Sequence, residues 1–230
     1  LVLASRDIGA EEVRDFLSPS LANIADPYLL PGTREASERL WKAIKNDEQI
    51  VIHGDYDTDG ITASALLAYV LRKNGAKVLC YLPHRIDDGY GLTAESINKV
   101  KEANCQLLLT VDCGITSHEA AQAAKEAGLD LIITDHHTPG PELLSAYAVV
   151  DPKLPGAPKE MQELAGVGVA FKVAQAFLKY GLESGLGGEE VDLRQCLDLV
   201  ALGTVADIVP LLHENRILVY HGLKTLAMQH

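Results

Sequence analysis

From Gln49 onward, short apolar runs alternate with amphipathic stretches. The runs IVIHG (50–54), KVLCYL (77–82), LLLTVD (107–112), LDLIITD (129–135) and AYAVVD (146–151) read as buried strands. Between them, 61–74, 93–104 and 117–127 read as helices. Repeated strand–helix alternation at this spacing implies right-handed crossovers and a parallel sheet. The expected fold is α/β: a Rossmann-like open parallel sheet of about five strands flanked by helices. The last third reads as helical over 167–180 and 192–206, around a loop holding Gly185, Gly187 and Gly188, with a further helix starting near Gly222. Residues 1–46 differ. They look helical and polar-faced, punctuated by Pro19, Pro27 and the Pro31-Gly32 pair. Thr33 is the expected cap of a helix running to Lys45, with Glu35 in its first turn. The expected division is an N-terminal helical segment, 1–46, and an α/β domain, 47–230.

Composition narrows the class. The 230 residues are 47% hydrophobic and 5% aromatic, which excludes a disordered tail or a low-complexity chain. No apolar run reaches the roughly 18–20 residues that span a bilayer; the most apolar stretch, Leu197 to Leu212, is broken by Asp198 and Asp207. No secretory signal is visible at the N-terminus, and the chain starts without Met, so an excised piece of a longer protein is expected. Cys80, Cys105, Cys113 and Cys196 form no CxxC pair, the pattern of reduced cytoplasmic thiols. The net charge of −12 argues against nucleic-acid binding by bulk electrostatics. It does not exclude a nucleic-acid enzyme, because carboxylates that hold cations add to this formal charge.

The informative feature is where the acids fall. Asp55, Asp57 and Asp59 follow the first strand, Asp112 ends the third, and Asp135, His136 and His137 end the fourth. Functional groups of an open parallel sheet gather beyond the carboxyl ends of its strands. In HGDYDTDG, His53, Asp57 and Asp59 offer oxygen and imidazole donors, a set suited to Mn²⁺, Fe²⁺ or Zn²⁺ as well as Mg²⁺. The same segment imitates the start of a calcium loop, but its twelfth position is Leu66 and a strand precedes it. Asp57-Thr58-Asp59-Gly60 also resembles the nucleophile loop of haloacid-dehalogenase-type phosphatases, and a solvated acidic turn is the bland alternative. In TDHHTP, neighbouring histidines point apart, so one faces a metal and the other a substrate, with Asp135 fixing an imidazole from behind. Asp112 in TVDCGIT and Asp207 in ALGTVADIVPL each have a structural alternative, an ordinary strand end and a helix cap. An ionised Asp207 in so apolar a stretch is costly unless paired or metal-bound. Weaker candidates for phosphate are Arg85, Tyr90, Lys153 and the Gly166-Val167-Gly168 turn.

Eight segments in order, HGDYDTDG, YLPHRIDDGYG, VDCGIT, TDHHTP, VVDPK, LAGVGVAFK, ALGTVADIVPL and the Asn215-Arg216 pair, resemble the DHH phosphoesterase superfamily, and within it the RecJ-like single-strand-specific exonucleases. The resemblance implies a DHH catalytic domain over 47–230. It implies His53 and Asp57 on one metal, Asp59, His136 and Asp207 on a second, and Asp112 bridging both. His137 would face the scissile phosphate, making Asp59, Asp112 and His137 the catalytic group, with Asp55 and Asp135 behind the ligands. Two Mn²⁺ ions would be the cofactor, with Mg²⁺ as the other ion. The implied activity is 5′-to-3′ digestion of single-stranded DNA to 5′-mononucleotides in repair and recombination. The implied partners are single-stranded DNA and repair proteins such as a helicase and a single-strand-binding protein, with no membrane. Other substrates within the superfamily are oligonucleotides, cyclic dinucleotides and pyrophosphate. RecJ-like proteins carry a second, substrate-gripping domain that nothing here matches, so this chain alone is expected to bind metal but to degrade DNA poorly.

Overall fold

A computed structural model of the protein describes residues 3, 5, 8–10, 13–83, 91–142, 144–187 and 191–229. Five parallel strands, β1 (Gln49–Gly54), β2 (Lys77–Tyr81), β3 (Leu107–Val111), β4 (Asp130–Thr134) and β5 (Ala148–Val150), lie in the order β2-β1-β3-β4-β5. Each coincides with one of the apolar runs of the sequence, β1 starting one residue earlier, at Gln49. His53 pairs with Tyr81 on one side and Thr110 on the other, and Thr110 pairs with Ile133, so the carboxyl ends of these strands finish level with one another.

The sheet is covered on both faces, which is why its strands read as continuous apolar runs. Ile50, Ile52, Leu107, Leu109 and Ile132 point into a core shared with α2 (Thr33–Lys45), α3 (Thr58–Lys73), α6 (Gly166–Glu183) and α7 (Leu197–Ala206). The alternate residues Val51, Leu108, Leu131 and Ile133 point the other way, onto α4 (Ala94–Glu102) and α5 (His118–Glu126). The period of two along each strand thus divides the apolar side chains between two layers.

Before the sheet, the structure has α1 (Val13–Leu17), 3₁₀ turns at Leu21–Asn23 and Pro27–Leu29, and then α2. Thr33 begins α2 but does not cap it. Its hydroxyl donates to the carbonyls of Leu30 and Pro27, and the cap position is Gly32, at φ 80°. A Cβ on Gly32 would stand 2.2 Å from the Val149 carbonyl, so the chain passes too close to β5 for the usual side-chain cap. Trp41 of α2 stacks on Phe177 of α6 at 4.6 Å and donates Nε1–H to the Phe177 carbonyl.

The last helix, α8 (His213–Gln229), starts nine residues before Gly222, where the sequence places its beginning. Gly222 is instead a contact point in mid-helix: a Cβ there would lie 2.0 Å from the Leu197 carbonyl of α7. A fully buried lysine, Lys172 of α6, pairs with Glu214 of α8 at 2.6 Å and donates to the Ala25 carbonyl, while Glu214 accepts the Ala25 N–H. That one polar joint ties α6, α8 and the N-terminal segment together. Among the described residues, no helix is long and apolar enough to cross a membrane.

Candidate metal centre

In a sheet ordered 2-1-3-4-5, the connections leave β1 and β3 in opposite directions, and a crevice opens between their carboxyl ends. Asp55 directly follows β1. Asp57 is the N-cap of α3, its Oδ1 accepting the Gly60 N–H at 2.9 Å. Asp59 lies in the first turn of that helix. Asp112 follows β3 and adopts the left-handed conformation, φ 59°, which Asp tolerates better than most residues. Its N–H donates to the Thr134 carbonyl, continuing the sheet ladder by one step.

Asp135 organises the loops beyond β4. Its Oδ1 accepts the N–H groups of His136 and His137 and lies 2.7 Å from His137 Nδ1; its Oδ2 accepts the Ile115 N–H. Burial pushes this carboxyl up, but the His137 side chain and these N–H groups outweigh it and hold its pKa below the usual value. The partnership raises His137 to about 9, so its half-exposed ring is charged at neutral pH. The two histidine rings sit 4.5 Å apart. His136 turns Nε2 inward, 3.1 Å from Asp112 Oδ1, 3.7 Å from Asp207 Oδ2 and 3.9 Å from Asp59 Oδ2. Asp207 ends α7, and the chain then turns through Ile208 at φ 62°. A β-branched residue held there costs about 1–3 kcal/mol.

Three donor sets result, each with its ligand atoms within 4.8 Å of one another: Asp55, Asp57 and Asp112; Asp59, His136 and Asp207; and Asp112, His136 and His137. Asp112 and His136 each belong to two sets. The residues assigned from the resemblance to the second metal therefore lie together, and Asp112 lies between the two groups. Two differences stand out. Asp55, expected behind the ligands, offers its carboxylate beside Asp57. His53 is fully buried at the end of β1 but belongs to none of the three sets; its Nδ1 lies 3.6 Å from Cys113 Sγ.

The electrostatics are those of acids awaiting a cation. Burial and then the neighbouring Asp112 raise Asp59 to about 7, despite N–H groups donated by Val167 and Gly166 at the start of α6. Burial, then Asp57 and Asp135, raise Asp112 to about 9. Asp112 Oδ1 and His136 Nε2 are buried and make no aligned hydrogen bond, although only 3.1 Å separates them. A carboxyl oxygen and an imidazole nitrogen brought this close without a hydrogen bond fit a shared cation, and oxygen plus imidazole donors suit Mn²⁺ or Mg²⁺. The surrounding helices leave room only because glycine faces the site. A Cβ on Gly166 would meet Asp112 Oδ1 at 2.7 Å, and one on Gly203 would meet Asp59 Oδ1 at 2.9 Å.

The weaker candidates fare differently. The Gly166 and Val167 N–H groups are occupied by Asp59 and are not open to a phosphate. Lys153 is exposed, and its backbone N–H donates to Asp151. Arg85 and Tyr90 lie outside the described residues. In VVDPK the residue at the rim is Asp151 itself, fully buried, with Oδ2 lacking a hydrogen-bond partner among the described residues and its pKa raised by burial to about 7. Its signal was present in the sequence, because the fifth apolar run ends on it.

The chain is similar to known proteins over most of its length. The RecJ single-stranded-DNA-specific exonuclease of Bacillus subtilis is 46% identical over 217 residues, covering 94% of this chain and 26% of that protein. A crystal structure of exonuclease RecJ bound to manganese matches with TM-score 0.77 and 40% identity, covering 89% of this chain and 49% of the other. The Thermus thermophilus RecJ complex with Mn²⁺ matches with TM-score 0.76 and 36% identity, covering 96% of this chain and 30% of the other. The chain thus spans between a quarter and a half of the length of these relatives. The family model for the DHH family, N-terminal domain, matches residues 49–204, two thirds of the chain, from β1 into α7, and the chain belongs to the DHH family.

Proposed function

We propose that this chain is the metal-binding catalytic part of a 5′-to-3′ exonuclease that hydrolyses single-stranded DNA to 5′-mononucleotides in repair and recombination. The observation that carries the reading is a run of adjoining donor sets, linked through Asp112 and His136, at the crevice between β1 and β3. His53 and Asp57 would hold one divalent ion, with Asp55 near enough to share it. Asp59, His136 and Asp207 would hold the other, and Asp112 both. Two such ions, Mn²⁺ or Mg²⁺, would supply the Lewis-acid charge that activates water and polarises a phosphodiester. Four aspartates, Asp57, Asp59, Asp112 and Asp207, balance two divalent charges.

The remaining work falls to the protein's own groups. Asp135 keeps the His137 ring oriented and charged, ready to donate to a phosphate oxygen. The start of α6 holds the Asp59 carboxylate in place through two N–H groups. The dehalogenase-type alternative needs Asp57 as a nucleophile and gives His136 no role. The inward turn of His136 onto Asp59, Asp112 and Asp207 favours the two-metal reading. The same proposal extends to a cytoplasmic setting and to work beside a helicase and a single-strand-binding protein.

The test is release of labelled mononucleotide from 5′-labelled single-stranded DNA with Mn²⁺, alongside cyclic dinucleotide and pyrophosphate. Weak Mn²⁺-dependent release from DNA is expected of this chain alone, with Asp112→Asn abolishing it through the loss of several kcal/mol of charge stabilisation. Activity surviving that substitution, or an aspartyl-phosphate trapped on Asp57, would overturn the reading.

A further inference from the structure

Cys113 follows Asp112 directly and is buried beneath the rim of the sheet. Asp112 and Gly114 on either side of it have positive φ, 59° and 108°, and the turn they form returns the Cys113 sulfur to β1. There Sγ lies 3.6 Å from His53 Nδ1 and 3.8 Å from the His53 carbonyl oxygen. Both contacts are within reach of sulfur hydrogen bonds, but a thiol has only one proton to give.

That shortage decides the arrangement. If the thiol donated to Nδ1, sulfur and the carbonyl oxygen would face each other as two acceptors with no hydrogen between them. If it donates to the carbonyl, sulfur is left to accept from Nδ1–H, and both contacts become hydrogen bonds. A thiol is ordinarily protonated at neutral pH, so sulfur has that one hydrogen to give.

We propose that Cys113 is a positioning residue that fixes His53 as its Nδ1–H tautomer, so that Nε2 presents its lone pair to a divalent cation. The inference rests on the reading of His53 as a metal ligand. A metal-binding imidazole commonly donates its other N–H to a carboxylate or carbonyl, and such partners set the ligand's tautomer and orientation. Here a neutral thiol takes that place, which adds no charge to a rim already crowded with carboxylates.

The test uses two readouts on the wild-type chain, Cys113→Ser and Cys113→Ala. Ring-nitrogen NMR of the metal-free protein reports the His53 tautomer. The account expects Nδ1–H in the wild type, the same in the serine variant, whose hydroxyl can donate and accept in the same roles, and a mixed or inverted population in the alanine variant. Calorimetry with Mn²⁺ should show one ion weakened by about 10–100-fold in Cys113→Ala, with the other unchanged and the serine variant close to wild type. A wild-type His53 protonated at Nε2, or an alanine variant with an unchanged tautomer, would overturn the proposal. Should Cys113→Ala fail to fold by circular dichroism, the wild-type tautomer decides alone. Should the wild type bind no Mn²⁺, the metal assignment falls, while the tautomer of the metal-free protein still settles the role of Cys113.

Discussion

Two places in this molecule bury charge, and they do so in opposite ways. Between α6 and α8, Lys172 meets Glu214 at 2.6 Å, and the backbone of Ala25 adds one hydrogen bond to each. One positive group faces one negative group, and the two charges offset each other inside the chain. At the carboxyl rim of the sheet, Asp59 and Asp112 are as deeply buried, yet among the described residues neither meets a lysine or arginine; their only ion-pair neighbour is His136. The burial penalty for an isolated ion is several kcal/mol, so such a cluster persists only if protons or a cation neutralise it. The first region explains itself as structure. The second makes sense only with something the chain does not contain.

The contrast can be broken at several points. Lys172→Met leaves Glu214 buried without its partner and should destabilise the fold by about 3–5 kcal/mol in denaturant titration; adding Glu214→Leu should restore most of that loss. If the double variant is no better than the single, the pair is not the self-contained unit described here. Gly166→Ala pushes a methyl group against the Asp112 carboxylate and should cost about 1–3 kcal/mol through overpacking, with a parallel loss of Mn²⁺ affinity. The same substitution at Gly185, where a Cβ meets nothing within 4 Å, should leave Mn²⁺ affinity unchanged.

Asp112→Asn should act with opposite sign in the two states of the site. It keeps a residue that tolerates positive φ. In EDTA it removes a buried acid and should raise the melting temperature by about 2–4 °C, on the order of 1 kcal/mol for a chain of this size. In Mn²⁺ it should remove the stabilisation that the metal supplies.

The metal-free protein should also show a pH dependence. A carboxyl whose folded pKa lies above its unfolded value stabilises the fold while protonated. Its contribution is complete below about pH 4 and is lost as pH rises through about 7 for Asp59 and about 9 for Asp112. His137 acts in the same direction, its contribution complete below 6.5 and lost through about 9. Thermal melts in EDTA should therefore decline from mildly acidic to mildly alkaline pH, and saturating Mn²⁺ should flatten the decline. A metal-free protein that grows more stable over this range would contradict the assignment of unmatched acids.

Much of this was legible in the residues. All five strands coincide with the apolar runs to within a residue, because a sheet covered on both faces forces continuous apolar segments. The helices between them follow from their amphipathic spacing, and Asp112, His136 and Asp207 stand out as polar groups at strand or helix ends. What the sequence hid depends on tertiary contact. The strand order, and so the crevice between β1 and β3, has no local signature. Gly32 at the cap of α2 and Gly222 in the middle of α8 look like ordinary punctuation until the neighbouring backbone is seen to press against them. Asp55 beside Asp57, and Cys113 beneath His53, are juxtapositions made by the turns beyond β1 and β3, the second with positive φ at Asp112 and Gly114, which no periodicity reveals.

The central claim, that the acids at the sheet rim are completed by two divalent cations, is tested most directly by titrating the chain with Mn²⁺ in a calorimeter, at neutral pH, in buffers of different ionisation enthalpy. The account predicts two bound ions, with protons released on binding because Asp112 is protonated before the metal arrives. No binding, or binding without proton release, would contradict it.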